Sequence, residues 1–384
     1  MMSFRRFDWL GFATMLVLIA VGTVAVWSAG TARTEVFFHT MWIRNLTTAA
    51  VGLVLYLALA LFDYRKWIGL LSVPAYVLSL VFLVAVLFVG SEQFGGRRWL
   101  WFFQPSEVAK PAVILLLAAL FGEGKRSGFL GFVLAGALVA LPVMLILLEP
   151  DLGTALTLVP AVVVVLLCAG VWRRGLLTVI AIGGILVMTV LGAVYEAERP
   201  GVSPERRAHI MRLVPLKDHQ VRRVRVFLFP EADQLGSGYN LRQALIAIGS
   251  GGYTGRGIGK GQTNHLKYLP PSVSMNDFIF CVYAEETGYV GSLVLLSLFS
   301  LVVLPGCWIA FRAADMRGRL LAVGVSSLVF AHVYINIAMS IGLLPITGLP
   351  LPFVSSGRTF LVTVMCGLGL LQSVSLHREP EEEA

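Results

Sequence analysis

Apolar runs of about twenty residues recur along almost the whole chain, and this repetition constrains the fold more than any other feature. A helix needs roughly 20 residues to cross the ~30 Å hydrocarbon core of a bilayer. Because backbone polar groups in lipid must be satisfied within the segment, each run is expected to be helical. The sequence therefore predicts an all-α membrane protein, a single polytopic domain over residues 1–384. About ten transmembrane helices are expected, at 8–29, 41–62, 67–90, 107–122, 127–148, 153–171, 175–195, 289–311, 318–344 and 358–376.

The composition agrees with a chain that lies mostly in lipid. Hydrophobic residues make up 57% of the chain and charged residues 14%, against roughly 45–50% and about 25% in soluble domains. The net charge of +8 would suit a nucleic-acid-binding protein. The cations lie in short turns between apolar runs, however, so membrane topology explains them and no nucleic acid partner is expected. The four cysteines lack paired spacing, which indicates neither a disulfide framework nor a metal site.

Basic residues in the short loops predict the orientation, because cytoplasmic loops carry an excess of Lys and Arg. Alternate loops carry such residues: Arg5/Arg6, Arg65/Lys66, Lys125/Arg126, Arg173/Arg174 and Arg312/Arg317/Arg319. With an even number of spans, both termini are expected in the cytoplasm. The pair Arg97/Arg98 falls on the outer side instead. A basic pair there indicates a local role, such as contact with an anionic ligand.

One long polar segment, residues 196–276, separates predicted helices seven and eight and is placed outside the membrane by this topology. Loops longer than about 12–15 residues are usually functional or disordered, and its mixed composition favours function. The apolar region that follows, 277–311, would reach ~52 Å as one helix. We therefore expect 277–287 to be a separate helical piece at the outer interface, broken from the span near Gly288 and Gly291.

Two pairs of ionisable residues fall close to predicted membrane depth, where such groups mark a functional site or a buried pair. Glu107 and Lys110 are three residues apart and share a helical face, so a structural salt bridge and a functional role fit equally. Glu149 and Asp151 lie between helices five and six, where Asp151 would also suit a helix start.

Two further features lie in or beside the long segment. The glycine-rich run 249–261 contains Arg256 and Lys260; glycines allow amides to form anion-binding concavities, although a flexible loop is equally compatible. Asp277 is followed at once by bulky apolar residues at a predicted helix start. A carboxylate so placed can serve as a general base or as a helix N-cap. Burial would raise its pKa and a nearby cation would lower it.

An ordered set of short strings from about residue 95 to 357 resembles the SEDS family (shape, elongation, division and sporulation proteins), with a tilt towards its RodA-like members. The strings include Phe103-Gln-Pro-Ser-Glu-Val-Ala-Lys110, Glu149-Pro-Asp-Leu-Gly-Thr154, Gly238-Tyr-Asn240, Asn276-Asp-Phe-Ile-Phe280 and Gly342-Leu-Leu-Pro345. Two places depart from the family pattern. Residues 355–358 read Ser-Ser-Gly-Arg where the family usually has Ser-Tyr-Gly-Gly, and 271–275 lack the usual acid and histidine.

This resemblance implies a peptidoglycan glycosyltransferase in the bacterial cytoplasmic (inner) membrane, with its active face outside. Its substrate would be lipid II, which carries undecaprenyl pyrophosphate, and Asp277 would be the general base of an inverting reaction. The candidates for substrate binding are Arg98, Gln104, Ser106, Glu107, Lys110, Glu149, Asp151, Gln243, Arg256 and Lys260. A divalent cation, Mg or Mn, could assist the leaving diphosphate, although no ligand set is evident. The resemblance also implies a class B penicillin-binding protein as partner, within the elongation machinery.

Three other functions fit parts of the pattern. An FtsW-like division polymerase would share the motifs. A flippase for a lipid-linked precursor would use the same intramembrane charges, but transporters place their sites near the midplane between repeats, and no clear internal repeat is present. A scaffold that only recruits wall enzymes is the third. Glycan product from purified protein would separate a polymerase from a flippase, and intact cell-shape function in an Asp277 variant would favour the scaffold.

Overall fold

A computed structural model describes residues 6–31, 35–93, 96–101, 103–124, 128–149, 151–199, 201–214, 216, 218–233, 236–265 and 268–378. Three basic residues that contributed to the predicted orientation, Arg5, Lys125 and Arg126, lie outside the described residues.

Within these ranges, ten long helices form the body of the molecule, most of them joined by short connections such as α2 (Val36–His39). They are α1 (Trp9–Thr31), α3 (Met41–Leu61), α4 (Tyr64–Val89), α5 (Pro105–Phe121), α6 (Phe129–Leu148), α7 (Leu152–Cys168), α8 (Arg173–Glu198), α14 (Ile279–Phe311), α15 (Met316–Ser340) and α16 (Arg358–Leu376). Within the described ranges, eight are long and apolar enough to cross a membrane, whereas α5 and α7 have 17 residues each. The predicted all-α membrane fold is confirmed; ten crossings stay a prediction.

Helices α15 and α16 lie at the centre of the bundle, where most of their residues are buried, while α8 is exposed along nearly its whole length. Lipid is as apolar as the side chains, so close helix contacts depend on small residues. Gly369 shows this where α16 crosses α3, since a Cβ there would lie 2.6 Å from the carbonyl oxygen of Tyr56.

Helix α14 is broken at Gly288, as the length of its apolar region predicted. Gly288 has φ 70° and ψ −164°, and a Cβ there would lie 2.4 Å from the amide nitrogen of Gly255. Amides freed by the break are satisfied by the glycine-rich loop, since the N–H of Tyr289 donates to the carbonyl of Gly252 at 2.9 Å. The kink thus has a defined cause: Gly288 adopts a positive φ, and the adjacent loop packs against the break and accepts hydrogen bonds from the freed amides.

A small hairpin, absent from the sequence predictions, connects α4 to α5. Its strands β1 (Ser91–Gln93) and β2 (Gly96–Trp99) are antiparallel, with Gln93 opposite Gly96. The chain then turns back through paired hydrogen bonds of 3.0 Å between the backbones of Leu100 and Phe103. This turn leads directly into α5 and fixes the position of Arg98 on β2.

The long segment between α8 and α14 folds into short helices. They are α9 (Pro204–Leu213), α10 (Asp218–Leu228), a 3-10 turn (Pro230–Ala232), α11 (Ser237–Ser250), α12 (Gln262–His265) and α13 (Pro271–Ser274). Glu198, at the end of α8, pairs with Arg207 at 2.5 Å and Arg225 at 3.1 Å. Leu241 and Ala244 of α11 pack with Phe278 at the start of α14. These contacts hold α10 close to the end of the bundle that carries Asp277.

Candidate active site

Asp277 lies in the turn between α13 and α14, where neighbouring segments hold its backbone. Its carbonyl accepts a hydrogen bond of 3.0 Å from Nδ2 of Asn336 on α15. The preceding Asn276 is fixed from the segment between α15 and α16: the hydroxyl of Ser355 donates to its carbonyl at 2.6 Å and that of Ser356 to Oδ1 at 2.5 Å. The carboxyl group of Asp277 remains partly exposed. The turn is therefore rigid while its acid can be reached.

Two arginines from distant parts of the chain lie near enough to act electrostatically on this carboxyl group, Arg98 on β2 and Arg223 on α10. Burial raises the pKa of Asp277 to about 6, while the charges of Arg223 and Arg98 lower it. Nη1 of Arg223 donates to the carbonyl of Thr347 at 3.1 Å. Burial and the charge of Arg98 lower the pKa of Arg223. The charges of Asp151 and Asp277 raise it, but by less. Both arginines are partly exposed, so the site offers two cations beside one acid.

Asp151 is buried at the start of α7 and accepts hydrogen bonds from four donors. Gln104 and Ser106, at the start of α5, donate to Oδ2 at 2.9 and 3.5 Å. The backbone N–H of Thr154 donates to Oδ1 at 3.1 Å and its hydroxyl to Oδ2 at 2.9 Å. Asp151 is thus the N-cap of α7, as the helix-start alternative predicted. Gln104 and Ser106 contact this acid, which joins α5 to α7.

Glu149 lies two residues earlier and is only 1% exposed. Its carbonyl accepts a hydrogen bond of 3.1 Å from Nε of Arg98. Within the described part of the chain, neither of its carboxyl oxygens has a hydrogen-bond partner. Burial and the charge of Asp151 raise the pKa of Glu149 to about 9, while Arg98 lowers it. Glu149 is therefore a neutral acid at pH 7 that supports Arg98 through its backbone.

Glu107 and Lys110 form an ion pair of 2.8 Å inside the bundle, with side chains 3% and 1% exposed. This is the salt bridge that the spacing allowed. Nζ of Lys110 also lies 2.8 Å from Nε2 of His332 on α15. Both charges are enclosed by helices, so a direct contact with substrate would require the bundle to open. Their predicted role in substrate binding stays a prediction.

The glycine-rich loop 249–261 surrounds carboxylates of its own chain. Glu285 accepts hydrogen bonds from the backbone N–H of Gln262 at 2.7 Å and of Thr263 at 3.2 Å. Arg256 lies 3.8 Å from the same carboxylate. Within the run itself, the backbone N–H groups of Gly259 and Gly261 donate to Glu286, so amides that were predicted to bind an external anion contact an internal one.

The remaining predicted binding residues lie apart from this cluster of contacts. Lys260 is exposed, and Gln243 is partly exposed on α11. Across the described ranges, neither they nor Arg256 share a hydrogen bond or ion pair with Arg98 or Asp277. Nor do those ranges contain a group of three or more His, Cys, Asp or Glu residues that could hold a metal ion.

Nearly the whole chain matches the model of one protein family. The family model described as "Cell cycle protein", for the FtsW, RodA and SpoVE proteins, matches residues 8–380. The chain belongs to this family. It is 34% identical over 376 residues to the peptidoglycan glycosyltransferase MrdB of Escherichia coli (strain K12), covering 95% of this chain and 92% of MrdB. It is 30% identical to the peptidoglycan glycosyltransferase RodA of Treponema pallidum (strain Nichols), covering 96% and 97%.

Solved structures of this family share the fold. RodA of Thermus thermophilus, a rod shape determining protein, is 27% identical and superposes with a TM-score of 0.67 over 98% of both chains. A chain from a structure on the coordination of polymerization and crosslinking by a peptidoglycan synthase complex is 28% identical. It superposes with a TM-score of 0.73, over 97% of this chain and 98% of that one. The SEDS resemblance drawn from the motifs is confirmed.

The sequence alone did not single out three residues that act on predicted site residues: Arg223 on Asp277, His332 on Lys110 and Asn336 on Asp277. Arg223 is one of several arginines in α10, and spacing alone does not show which of them lies near Asp277. His332 and Asn336 left a stronger signal, because both are polar residues inside a predicted span, where such groups are expected to contact other helices.

Proposed function

We propose that this chain polymerises lipid II into glycan strands, as a peptidoglycan glycosyltransferase of the bacterial inner membrane, with Asp277 as its general base. Near-complete alignment with MrdB and RodA supports the activity. The observation that carries the mechanism is the partly exposed Asp277 within the electrostatic influence of Arg98 and Arg223, at one end of the bundle. RodA-like similarity favours a role in elongation and rod shape.

The two arginines match the leaving group. Lipid II ends in a diphosphate that gains charge as the bond to its sugar breaks. Preorganised cations stabilise such charge in the transition state, and hydrogen bonds between guanidinium and phosphate oxygens are among the stronger ones in proteins. Arg98 is held through its bond to the Glu149 carbonyl and Arg223 through Thr347. Their heads can therefore meet a diphosphate without first being ordered.

The acid matches the acceptor. In the proposed step, Asp277 takes the proton from the 4-hydroxyl of the acceptor GlcNAc as that oxygen attacks the anomeric carbon of the donor. The bond from that carbon to the diphosphate breaks, the diphosphate leaves with the electron pair, and the centre inverts. A positioned general base contributes roughly 10²–10⁴-fold. A pKa of about 6 leaves Asp277 mostly ionised at pH 7 and still basic enough to accept a proton.

The proposed orientation places Asp277 outside and both termini in the cytoplasm. Several predicted cytoplasmic loops meet in the structure: Arg65 lies 3.5 Å from Asp315, and Arg317 pairs with Glu123. Helix α4 starts beside Arg65 and ends at the hairpin that carries Arg98. The basic loops and the site therefore lie at opposite ends of the bundle, which supports this orientation.

A transpeptidase of the class B penicillin-binding type is the proposed partner, since a related chain occurs in a complex that coordinates polymerization and crosslinking. A divalent cation is a further proposal. Glu149 and Asp151 are two acids at the site, but their geometry defines no metal site, so the requirement is left to experiment. Polymerisation of lipid II with and without EDTA tests it directly.

Purified protein in detergent with lipid II tests the activity and the base together. Wild type should yield glycan strands, whereas Asp277→Asn should yield none while binding lipid II and eluting as a monodisperse particle. Glu231→Gln is the matched control, since it removes an exposed carboxylate of the same long segment and should leave the rate unchanged. Glycan formed by Asp277→Asn would overturn the base. Lipid II movement across vesicles without glycan from wild type would instead indicate a flippase.

A further inference from the structure

His332 lies in the middle of α15 and is 1% exposed. Its Nδ1 lies 2.9 Å from the carbonyl of Leu328 and its Nε2 lies 2.8 Å from Nζ of Lys110. A carbonyl can only accept, so Nδ1 carries the hydrogen, and Nε2 presents its lone pair to the ammonium. His332 is therefore a neutral imidazole that accepts a hydrogen bond from a buried cation.

The ammonium of Lys110 is fixed from three helices. Glu107 on its own helix lies 2.8 Å away, His332 comes from α15, and the ring of Phe360 on α16 lies 5.4 Å from Nζ. The rings of His332 and Phe360 are 4.7 Å apart. These side chains border a cavity of about 20 Å³, room for about one water. The contacts set the position of α15 relative to α5 and α16.

Asn336 lies one helical turn further along α15, on the same face as His332. It is fully buried, and its Nδ2 donates to the carbonyls of Asp277 at 3.0 Å and Leu349 at 2.6 Å. Both partners are acceptors, so this atom must be the amide nitrogen. The rise between residues 332 and 336 is ~6 Å. One short stretch of α15 therefore contacts both the buried ion pair, through His332, and the turn that carries Asp277, through Asn336.

We propose that His332 and Asn336 are positioning residues for the polymerisation step. In this proposal, the buried contacts among Glu107, Lys110 and His332 fix the position of α15 along its axis. The hydrogen bond from Asn336 then fixes the backbone of Asp277 relative to α15. The inference rests on the proposed role of Asp277 as general base. It also gives Glu107 and Lys110, which are enclosed by the bundle, a part in catalysis that needs no contact with the diphosphate.

The test compares four variants on α15 for kcat, KM for lipid II, and the pH dependence of kcat. His332→Leu removes the acceptor, and Asn336→Asp places an anion against two carbonyl oxygens. Each should lower kcat about 10–100-fold, the scale for a misplaced catalytic group, with KM within about threefold. His332→Gln keeps an acceptor for Lys110 and should recover most of the rate. Tyr334→Phe, on the exposed face of the same helix, is the control and should match wild type.

The pH profile separates positioning from general weakening. An anion at 336, beside the Asp277 backbone, should move the acid limb of kcat to higher pH, which lower stability alone would not do. If His332→Leu fails to fold, the kcat values of His332→Gln and Asn336→Asp still test the proposal, because the first should stay near wild type and the second should fall. Wild-type kcat and pH profile in Asn336→Asp, or equal losses in His332→Leu and His332→Gln, would overturn the proposal. Failure of the proposed function would appear separately, as glycan synthesis by Asp277→Asn.

Discussion

Replacing Asp277 by Asn should abolish polymerisation and, above pH 6, make the fold more stable. Burial raises the pKa of this carboxyl from 3.8 to about 6. Between these values the folded chain holds a proton that the unfolded chain has lost. The free energy of unfolding therefore falls as pH rises from about 4 to 6 and stays low above. At 1.36 kcal/mol per pKa unit, the ionised acid costs the fold at most about 3 kcal/mol, and Asn carries no such cost.

Thermal unfolding in detergent from pH 4 to pH 8 measures this difference. The midpoint of Asp277→Asn should equal that of wild type near pH 4 and exceed it by several degrees above pH 6, since about 1 kcal/mol shifts a large chain by ~2–4 °C. Glu231→Gln, which removes an exposed carboxylate of the long segment, is measured beside it as the control. Polymerisation by wild type should fall below pH 6 as Asp277 takes up a proton. A variant that melts below wild type at pH 8, or a difference that does not change with pH, would refute the argument.

Three further outcomes follow from the same geometry. Arg223→Met removes a cation that lowers the pKa of Asp277, so the acid limb of the pH–rate profile should move to higher pH. Glu149→Gln should raise the melting temperature at pH 8 but not at pH 4.5. The pKa of Glu149 is about 9 in the folded chain, so between pH 4.5 and pH 9 the folded chain keeps a proton that the unfolded chain loses, which lowers the stability of wild type but not of the variant. Gly288→Ala should destabilise by at least about 1 kcal/mol in thermal melts; Gly183→Ala, in open space on α8, should not.

The bundle could be predicted from the sequence because its signals are local. Hydropathy over twenty residues marks a helix wherever the remaining chain goes, and each of the ten predicted runs coincides with one. The break at Gly288 followed from arithmetic, since 277–311 is too long for one span. The hairpin before α5 gave no such signal. Its strands are three and four residues long, and neither the alternation nor the turn chemistry of so short a hairpin stands out.

The site was predicted only in part, because proximity in the fold decides which charges act together. Motifs identified Asp277, Arg98 and Asp151, and the structure brings all three near Arg223. The glycine-rich loop shows the opposite outcome. Arg256 and the amides of Gly259 and Gly261 do contact anions, but those anions are Glu285 and Glu286 of the same chain. No spacing rule distinguishes an internal carboxylate from a bound diphosphate before the helices are placed.

Asp277 and the two arginines near it are held by different structural elements. Asp277 and its neighbour are held by α15 and by the segment that follows it, through Asn336, Ser355 and Ser356. Arg98 and Arg223 lie instead on β2 and α10. Arg223 connects α10 to the segment after α15 through its hydrogen bond to the Thr347 carbonyl. A displacement of α10 would therefore weaken the field on Asp277 and raise its pKa without releasing its backbone. Such a displacement should slow the chemical step at pH 6 far more than at pH 8, where the acid stays ionised either way.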